Sequence, residues 1–377
     1  MQNQKKRKVC FIAAVHQTPF NIRVFYKEAK SLSENGYAVS LIVQHDKKEE
    51  IDGVKILPLP KPRFRLYRMT VHAYKALRIA RQQKADIYHI HSPELLPVAL
   101  LLKLSTGKKI IYDVHEDFPR DFLTKEWIPK VLRKIISETF AGFEKICCRY
   151  IDYIIPATES IAEHFPLPNK EIINNYPFIA LVQEDVRSHL ERKSKNRLVY
   201  AGDLSAERGV RELIQSLGFI DKKYNPRLSL IGRYSNSAFQ REIEKIDSFR
   251  LVDYFAWMPF SEVIDRYKES DIGMLLYLPR PNHISAMPNK LFEYMALGLP
   301  IISSNFPLWK KIVEGNGCGI TVDPLKPREI GRAIGELLGN EKLRVQMGQN
   351  GRRAVREKYN WEIAKEKLLS IYVKLLG

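Results

Sequence analysis

The sequence predicts an α/β protein with two doubly wound domains, each a parallel sheet covered by helices. Its 377 residues exceed the size that one hydrophobic core usually supports. Short β-branched runs alternate with amphipathic helical stretches from one end of the chain to the other. The segment 174–196 interrupts this alternation with Pro177 and many charges, which is typical of a connector.

The first half contains six predicted strands, at residues 8–14, 38–43, 54–57, 86–90, 109–114 and 153–156. Between them the apolar spacing predicts helices at about residues 22–35, 66–83, 93–104 and 128–149. The first of these helices should end at Gly36, since glycine readily takes the left-handed conformation of a helix C-cap.

The second half repeats the pattern, with predicted strands at residues 197–201, 227–231, 251–255, 271–276, 300–303 and 319–322. The last helix should begin near Trp361. We therefore expect one domain at residues 1–175, with helix 361–377 packing back on it, and a second at residues 176–360. Such domains bind ligands at the carboxyl ends of their strands, so two of them should face a common cleft.

Composition limits the possible function classes. With 45% hydrophobic and 28% charged residues, the chain is neither disordered nor fibrous. The net charge of +18 favours polyanionic partners: nucleic acid, anionic lipid head groups or phosphorylated small molecules. The four cysteines lack paired spacing, which indicates free thiols in a reducing cytoplasm. The longest apolar run is far shorter than the roughly 20 residues of a membrane-spanning helix.

The segment 277–304, YLPRPNHISAMPNKLFEYMALGLPIISS, carries the most chemistry. A proline-rich loop leads into a helix that should begin near Pro288 or Asn289 and end at Gly298. Backbone amides at that start, with Lys290 nearby, form a natural site for a diphosphate. Glu293, about one turn later, could accept hydrogen bonds from vicinal sugar hydroxyls. The alternative, a surface helix with solvated charges, fits the pattern alone equally well.

Two further segments place polar residues directly after predicted strands. In YAGDLSAERGV (200–210), Gly202 allows close backbone approach and Arg208 could bind a diphosphate bidentately. In YDVHEDFP (112–119), His115 follows the strand and should lie at the mouth of the cleft. On the pattern alone, a surface arginine and a structural histidine are the simpler interpretations.

In these segments, above all PNKLFEYMALGLPII, the sequence closely resembles the family-4 retaining glycosyltransferases of the GT-B fold, especially bacterial members that build surface polysaccharides. The resemblance covers nearly the whole chain. It implies two Rossmann-like domains facing across a cleft, with acceptor binding in residues 1–175 and nucleotide-sugar binding in residues 176–360. It also implies transfer of a hexose-type sugar from a UDP-linked donor to a lipid-linked or surface-glycan acceptor.

The resemblance assigns roles to particular residues. Glu293 would hold the ribose hydroxyls and His115 would lie beside the donor sugar. The implied catalytic residues are His115, Arg208 and Lys290, because the departing diphosphate needs stabilisation and helps accept the acceptor's proton. The implied donor-binding residues are Gly202, Arg208, Ser285, Asn289, Lys290, Leu291 and Glu293. Relatives often have glutamate at the position of Ser285, so the donor sugar stays open. Many also have arginine at the position of Asp203, so one expected phosphate contact is missing and Arg208 carries more of that role.

The sequence indicates acceptor-binding and metal-binding residues less specifically than donor-binding ones. Asn21 and Arg23 in the first loop (16–23), with Glu116, are assigned to the acceptor. His89 and His91 should face the same side of a strand, as a metal pair would. Because the sequence shows no third ligand and no Asp-x-Asp, we expect no metal and no cofactor beyond the nucleotide sugar.

A basic stretch at residues 61–84 contains eight basic residues and no acidic one. On a helical wheel, one side carries Leu66, Met69, Ala73, Leu77 and Ala80. The other carries Arg68, Lys75, Arg78 and Arg81. We expect this second side to contact an anionic membrane beside a lipid-linked acceptor, which predicts a cytoplasmic protein, peripheral on the inner face of the cell membrane. The alternative is a helix with a solvated basic face.

Two other functions remain open. A nucleic-acid-binding protein would suit the charge, but no helix-turn-helix, zinc finger or aromatic RNA-binding motif is present, so no nucleic acid is expected. A sugar-nucleotide epimerase of the GT-B type differs from a transferase because it turns over the donor alone.

Overall fold

The computed structural model describes residues 6–14, 18–64, 67–124, 128–183 and 196–377. The chain divides into two compact units, residues 1–175 with 362–377 (unit 1) and residues 176–361 (unit 2). Each unit contains a parallel sheet packed against helices, so the predicted fold class is confirmed. Leu66 and His16, which the sequence analysis assigned to a helix and a loop, lie outside the described residues.

Unit 1 has seven strands in the order β3-β4-β2-β1-β5-β6-β7. They are β1 (Lys8–Ile12), β2 (Ala38–Gln44), β3 (Glu49–Ile51), β4 (Val54–Leu59), β5 (Ile87–His91), β6 (Lys109–Val114) and β7 (Tyr153–Pro156). All neighbours are parallel except β3, which pairs antiparallel with β4 at the edge. The sequence analysis missed β3, because three residues that include two glutamates show no apolar alternation.

Its helices begin with a π-helical segment (Ile22–Ala29) that runs into α1 (Lys30–Glu34), and another (Arg68–His72) that runs into α2 (Ala73–Gln83). A 3₁₀ turn (Pro93–Leu95) leads to α3 (Leu96–Thr106), which is followed by α4 (Phe118–Thr124), α5 (Lys130–Cys148) and α6 (Glu159–Ala162). The π segment has a wider turn than an α-helix. The 3.6-residue spacing that placed Met69 on the packed side therefore fails, and Met69 is exposed whereas Ala73 is buried.

Unit 2 has six parallel strands in the order β10-β9-β8-β11-β12-β13. They are β8 (Arg197–Ala201), β9 (Arg227–Ile231), β10 (Val252–Phe255), β11 (Ile272–Leu275), β12 (Ile301–Ser304) and β13 (Gly319–Val322). After β8 the chain adds β9 and β10 on one side of it, and then it adds β11, β12 and β13 on the other side. The carboxyl ends of β8 and β11 therefore form the topological switch point, where open α/β sheets bind ligands.

Among the described residues, unit 2 also contains nine α-helices, the first residue of a tenth and three 3₁₀ segments. The α-helices are α7 (Ala180–Gln183), α8 (Val210–Leu217), α9 (Ser237–Glu244), α10 (Phe260–Lys268), α11 (Pro281–Ile284), α12 (Asn289–Leu297), α13 (Pro307–Val313), α14 (Pro327–Gly339), α15 (Glu341–Glu357) and the first residue of α16 (Trp361–Leu376). The 3₁₀ segments are Ala206–Arg208, Lys222–Tyr224 and Asp247–Leu251. Helix α12 ends where predicted, since Gly298 has a φ of 73° as its C-cap.

The rest of α16 packs on unit 1. Tyr372 is fully buried there, and its hydroxyl oxygen lies 2.6 Å from Nδ1 of His89 on β5. Its ring also contacts the ring of Tyr37, with centroids 5.7 Å apart. Residues 362–377 thus complete the interior of unit 1.

Candidate functional site

Two loops interlock at the switch point of unit 2. Gly202 and Gly209, in the loop after β8, have positive φ angles of 143° and 67°. A Cβ on Gly209 would lie 1.7 Å from the carbonyl oxygen of Leu276, so only glycine allows this approach. The amide of Leu278 also donates to the carbonyl oxygen of Glu207 at 2.9 Å. The segment that carries Arg208 is thereby fixed against the loop after β11.

Lys290 reaches back to the first of these loops from the start of α12. A Cβ on Gly202 would lie 2.7 Å from Nζ and 2.8 Å from Cε of Lys290, so the ammonium group lies directly against the backbone after β8. Pro288 precedes the helix and supplies no side-chain cap. Lys290 belongs to the first turn of α12, so its ammonium group and the amides at the helix start are the groups that could bind an anion here.

Arg208 lies on an aromatic surface in the same region. Its guanidinium carbon is 4.2 Å from the centroid of the Tyr277 ring, a cation–π contact that orients the side chain. Burial raises the pKa of Tyr200 well above its usual range, and the nearby charge of Arg208 opposes that rise. Because the Tyr200 hydroxyl is also 3.6 Å from the Cβ position of Gly202, both cations lie near Tyr200.

The remaining predicted donor-binding residues belong to α12 and the turn before it. Leu291 is fully buried, and Glu293 is 9% exposed. Asn289 is the first residue of α12, and Ser285 is the C-cap of α11; both are half-buried. The structure thus gathers the predicted set on the loops and helix that follow β8 and β11. Their contact with a donor stays a prediction.

Unit 1 contains a buried charge cluster formed by Arg23, Glu28, His89, His91 and Asp113. Arg23 is only 4% exposed, and its Nη2 lies 3.0 Å from each carboxylate oxygen of Asp113. Its Nη1 donates to the carbonyl oxygen of Ile173 at 2.8 Å, and its Nε lies 2.8 Å from Oε1 of Glu28. The guanidinium is therefore surrounded by acceptors from three parts of the chain.

The pKa values of the two carboxyl groups of the cluster shift in opposite directions. Burial and the charge of Asp113 raise the pKa of Glu28 well above its usual range. Burial also acts to raise the pKa of Asp113, but Arg23 and His115 hold it well below its usual range. Asp113, whose charged form is favoured, therefore supplies negative charge beside the buried guanidinium of Arg23. Burial also lowers the pKa of His89, which favours the neutral ring.

The argument that no third metal ligand accompanies the two histidines was wrong. His89 and His91 do face the same side, and ligand atoms of Glu28 and Asp113 lie with theirs within 4.8 Å of one another. However, Arg23 already binds both carboxyl groups. The two imidazole rings are also stacked at 4.4 Å and 20°, so their in-plane lone pairs run nearly parallel rather than converging on one ion. This geometry does not favour a metal.

His115 is the partly exposed neighbour of the buried charge cluster, with 25% of its side chain accessible. Its Nε2 lies 3.0 Å from Oδ1 of Asp113 and 3.2 Å from Nδ1 of His91. Asp113 and His91 therefore fix the orientation of a histidine that remains within reach of a ligand.

Asn21 and Arg23, which the sequence analysis assigned to the acceptor, both have partners within unit 1. The Asn21 side chain caps the first helix by accepting from the amides of Arg23 at 2.9 Å and Val24 at 3.0 Å. The Arg23 side chain is buried in the cluster. Glu116 is exposed and Asn21 is half-buried. Their contact with an acceptor stays a prediction.

The basic side chains of residues 61–84 differ in whether they bind a partner within the protein or extend into solvent. Arg68 is bound bidentately by Glu94 at 2.9 and 2.6 Å, and Nζ of Lys75 lies 3.4 Å from the hydroxyl oxygen of Tyr67. Arg78 and Arg81 are exposed. None of the helices in the described part of the chain is long and apolar enough to cross a membrane.

Comparison with known proteins agrees with this architecture. Residues 182–354 match the family profile "Glycosyl transferases group 1", and residues 23–167 match "Glycosyltransferase Family 4". An uncharacterized glycosyltransferase of Methanocaldococcus jannaschii is 22% identical over 91% of both chains. The capsular polysaccharide biosynthesis glycosyltransferase CapM of Staphylococcus aureus is 28% identical over 46% of this chain and 44% of its own length.

Among solved structures, HepE of Anabaena in complex with UDP-glucose superposes with a TM-score of 0.73 at 13% identity, over 97% of this chain and 99% of its own. At that identity the likeness establishes the fold only. The two family profiles together cover most of the sequence. The chain is therefore a glycosyltransferase of the GT-B fold and belongs to the family-4 type.

Proposed function

We propose that this glycosyltransferase moves a hexose-type sugar from a UDP-linked donor to a lipid-linked glycan, with retention at the anomeric carbon. The position of Lys290 carries the proposal, because this residue of the first turn of α12 holds its ammonium group against Gly202 at the switch point of unit 2. The UDP-glucose in HepE supports the nucleotide, and the named role of CapM in capsular polysaccharide synthesis supports the glycan.

In this proposal the protein acts mainly on the leaving group. Arg208, Lys290 and the α12 amides stabilise the diphosphate as its bond to the sugar breaks. The departing phosphate oxygen helps accept the proton of the acceptor hydroxyl on the same face of the sugar. Glu293 holds the ribose hydroxyls, and His115 orients the donor sugar.

A ligand screen tests the donor assignment. UDP and UDP-sugars should raise the melting temperature more than GDP- or ADP-sugars at equal concentration, since ligands stabilise the folded state by mass action. NMR of the product formed with a lipid-linked acceptor should show the donor's anomeric configuration. Turnover of the donor without acceptor would instead support an epimerase, and a sequence-specific mobility shift would support a nucleic-acid-binding protein.

Replacing Glu293 by alanine should weaken UDP binding by about 1–3 kcal/mol, because the ribose hydroxyls lose a charged acceptor at a nearly buried position. Isothermal titration calorimetry measures the change. Glu336→Ala, on α14 of the same unit, serves as the control and should bind UDP like the wild type. Equal UDP affinity in Glu293→Ala and wild type would refute the ribose assignment.

We further propose that activity needs no metal, because Arg23 occupies the carboxyl groups of the buried charge cluster and its histidine rings are stacked. Activity should therefore persist after treatment with EDTA and dialysis. Loss of activity that magnesium, manganese or zinc restores would contradict this expectation.

A lipid-linked acceptor would require the enzyme to bind at a membrane surface. We propose that the protein is cytoplasmic and peripheral on the inner face of the cell membrane, with the exposed Arg78 and Arg81 of α2 contributing attraction to anionic lipid. Arg68 and Lys75, which have partners within the protein, contribute less.

A further inference from the structure

Helix α5 (Lys130–Cys148) exposes an unusual amount of apolar surface. Six of its apolar side chains are between 37% and 80% exposed, a set that we call the apolar stripe: Val131, Leu132, Ile135, Ile136, Phe143 and Ile146. At about 100° per residue these positions share one side of the helix and span about 140° of its circumference. The helix is about 28 Å long, so the stripe follows most of its length.

The stripe is not the side by which α5 packs on unit 1. The buried positions of the helix are Ser137, Glu144, Cys147 and Cys148, which face the opposite way. Ser137 donates to the carbonyl oxygen of Pro119 at 2.7 Å, and Glu144 accepts from the Tyr112 hydroxyl at 2.7 Å. The helix therefore packs on unit 1 through its other side and not through the stripe. Contiguous exposed apolar surface of this kind marks a contact site.

The charges around the stripe are mostly basic. Lys134, Lys145 and Arg149 are exposed and lie along one margin of the stripe, and Lys130 is exposed further round the helix. Glu138, the only exposed acid on the helix, lies on the same margin and forms an ion pair with Lys134 at 3.8 Å. The neighbouring helix α3 adds the exposed Leu101 and Leu104, of which the second is 83% accessible. Helix α2, with its exposed arginines, packs beside α3 on the other side.

We propose that α5 is the membrane-inserting element of the protein, with the apolar stripe entering the interface of an anionic bilayer and the basic margin contacting lipid head groups. An amphipathic helix binds such a surface through buried apolar area plus electrostatic attraction, and α5 supplies both. The biological purpose rests on the proposed lipid-linked acceptor, whereas the binding itself does not.

A bilayer fits this surface better than a second copy of the chain. Two copies that met through their stripes would bring two basic margins together within a protein of net charge +18. Like charges at an interface oppose association. Anionic lipid supplies the opposite charge next to an apolar layer, so it complements both parts of the surface.

Vesicle sedimentation of the full chain tests the proposal. Wild type should pellet with vesicles of phosphatidylglycerol and phosphatidylcholine. Ile135→Gln/Ile146→Gln should bind at least tenfold more weakly, because two exposed members of the stripe become polar. A matched control, Val345→Gln/Val373→Gln, removes two exposed valines from α15 and α16 and should bind like wild type. Lys130→Gln/Lys134→Gln/Lys145→Gln should weaken binding and reduce its dependence on salt.

A direct readout comes from Phe143→Trp, whose fluorescence should shift to shorter wavelength when vesicles are added. Wild type that fails to pellet, or Ile135→Gln/Ile146→Gln that pellets equally well, overturns the proposal. A wild-type dimer that this double variant converts to monomer, without vesicle binding by either, assigns the stripe to self-association instead. UDP binding, measured in parallel, reports on the proposed function separately, because none of these positions belongs to unit 2 except the control Val345.

Discussion

Alanine at position 208 is expected to lower kcat by about a hundred- to a thousandfold while changing the affinity for UDP by less than about tenfold. The reason is that Arg208 meets a charge that grows as the sugar–phosphate bond breaks, so its interaction is stronger in the transition state than in the bound donor. Steady-state kinetics with titration of UDP against the same variant separates the two effects.

Arg211→Ala is the matched control for this prediction. Arg211 lies one turn further on, in α8, and forms an exposed ion pair with Glu242. Its removal should leave kcat within about twofold of the wild type, as exposed pairs contribute little. If Arg208→Ala binds UDP poorly but retains its kcat, Arg208 holds the ground state and its assignment to leaving-group stabilisation is wrong.

Replacing Asp113 by alanine should lower the free energy of unfolding of unit 1 by about 3–5 kcal/mol, because the guanidinium of Arg23 then stays buried without its main partner. Urea denaturation followed by circular dichroism measures the loss. The lowered pKa of Asp113 means that its contribution is present above its unfolded pKa of about 4. The contribution is lost as the pH falls further, so the gap between wild type and variant should narrow in acid.

Lys30→Ala provides the comparison in the same unit. Lys30 forms an ion pair with Asp52 in which both side chains are more than one third exposed, so its loss should change stability by less than about 1 kcal/mol. Equal stability of Asp113→Ala and Lys30→Ala would show that the buried charge cluster does not hold unit 1 together.

Local patterns in the sequence were enough to find most strands. β6, β7, β8, β9 and β13 have the predicted limits, because each is a short buried run bounded by polar or turn residues. The C-cap at Gly298 was also predictable, since glycine tolerates its positive φ. The segments assigned to the donor were recognisable through their resemblance to family-4 glycosyltransferases, because the pattern alone fitted a solvated surface helix equally well.

Features that depend on distant pairing were not predictable in this way. The two carboxyl partners of His89 and His91 come from a helix about 60 residues earlier and a strand about 20 residues later, so no spacing rule connects them. Asp113, the partner of Arg23, is 90 positions away in the sequence, so the sequence pattern did not indicate that Arg23 is held in a buried ion pair. The exposure of the apolar stripe of α5 could not be predicted, since periodicity shows that a face is apolar but not whether anything covers it.

The hydrogen bond between His89 and Tyr372 joins residues 283 positions apart within one unit. Unit 2 is a continuous segment, but unit 1 needs residues 362–377, which are synthesised after the whole of unit 2. On the ribosome, therefore, the interior of unit 1 stays incomplete while unit 2 already has its whole sequence, although unit 1 emerges first. His89 therefore reaches its full burial only after residues 362–377 have been synthesised and have packed on unit 1.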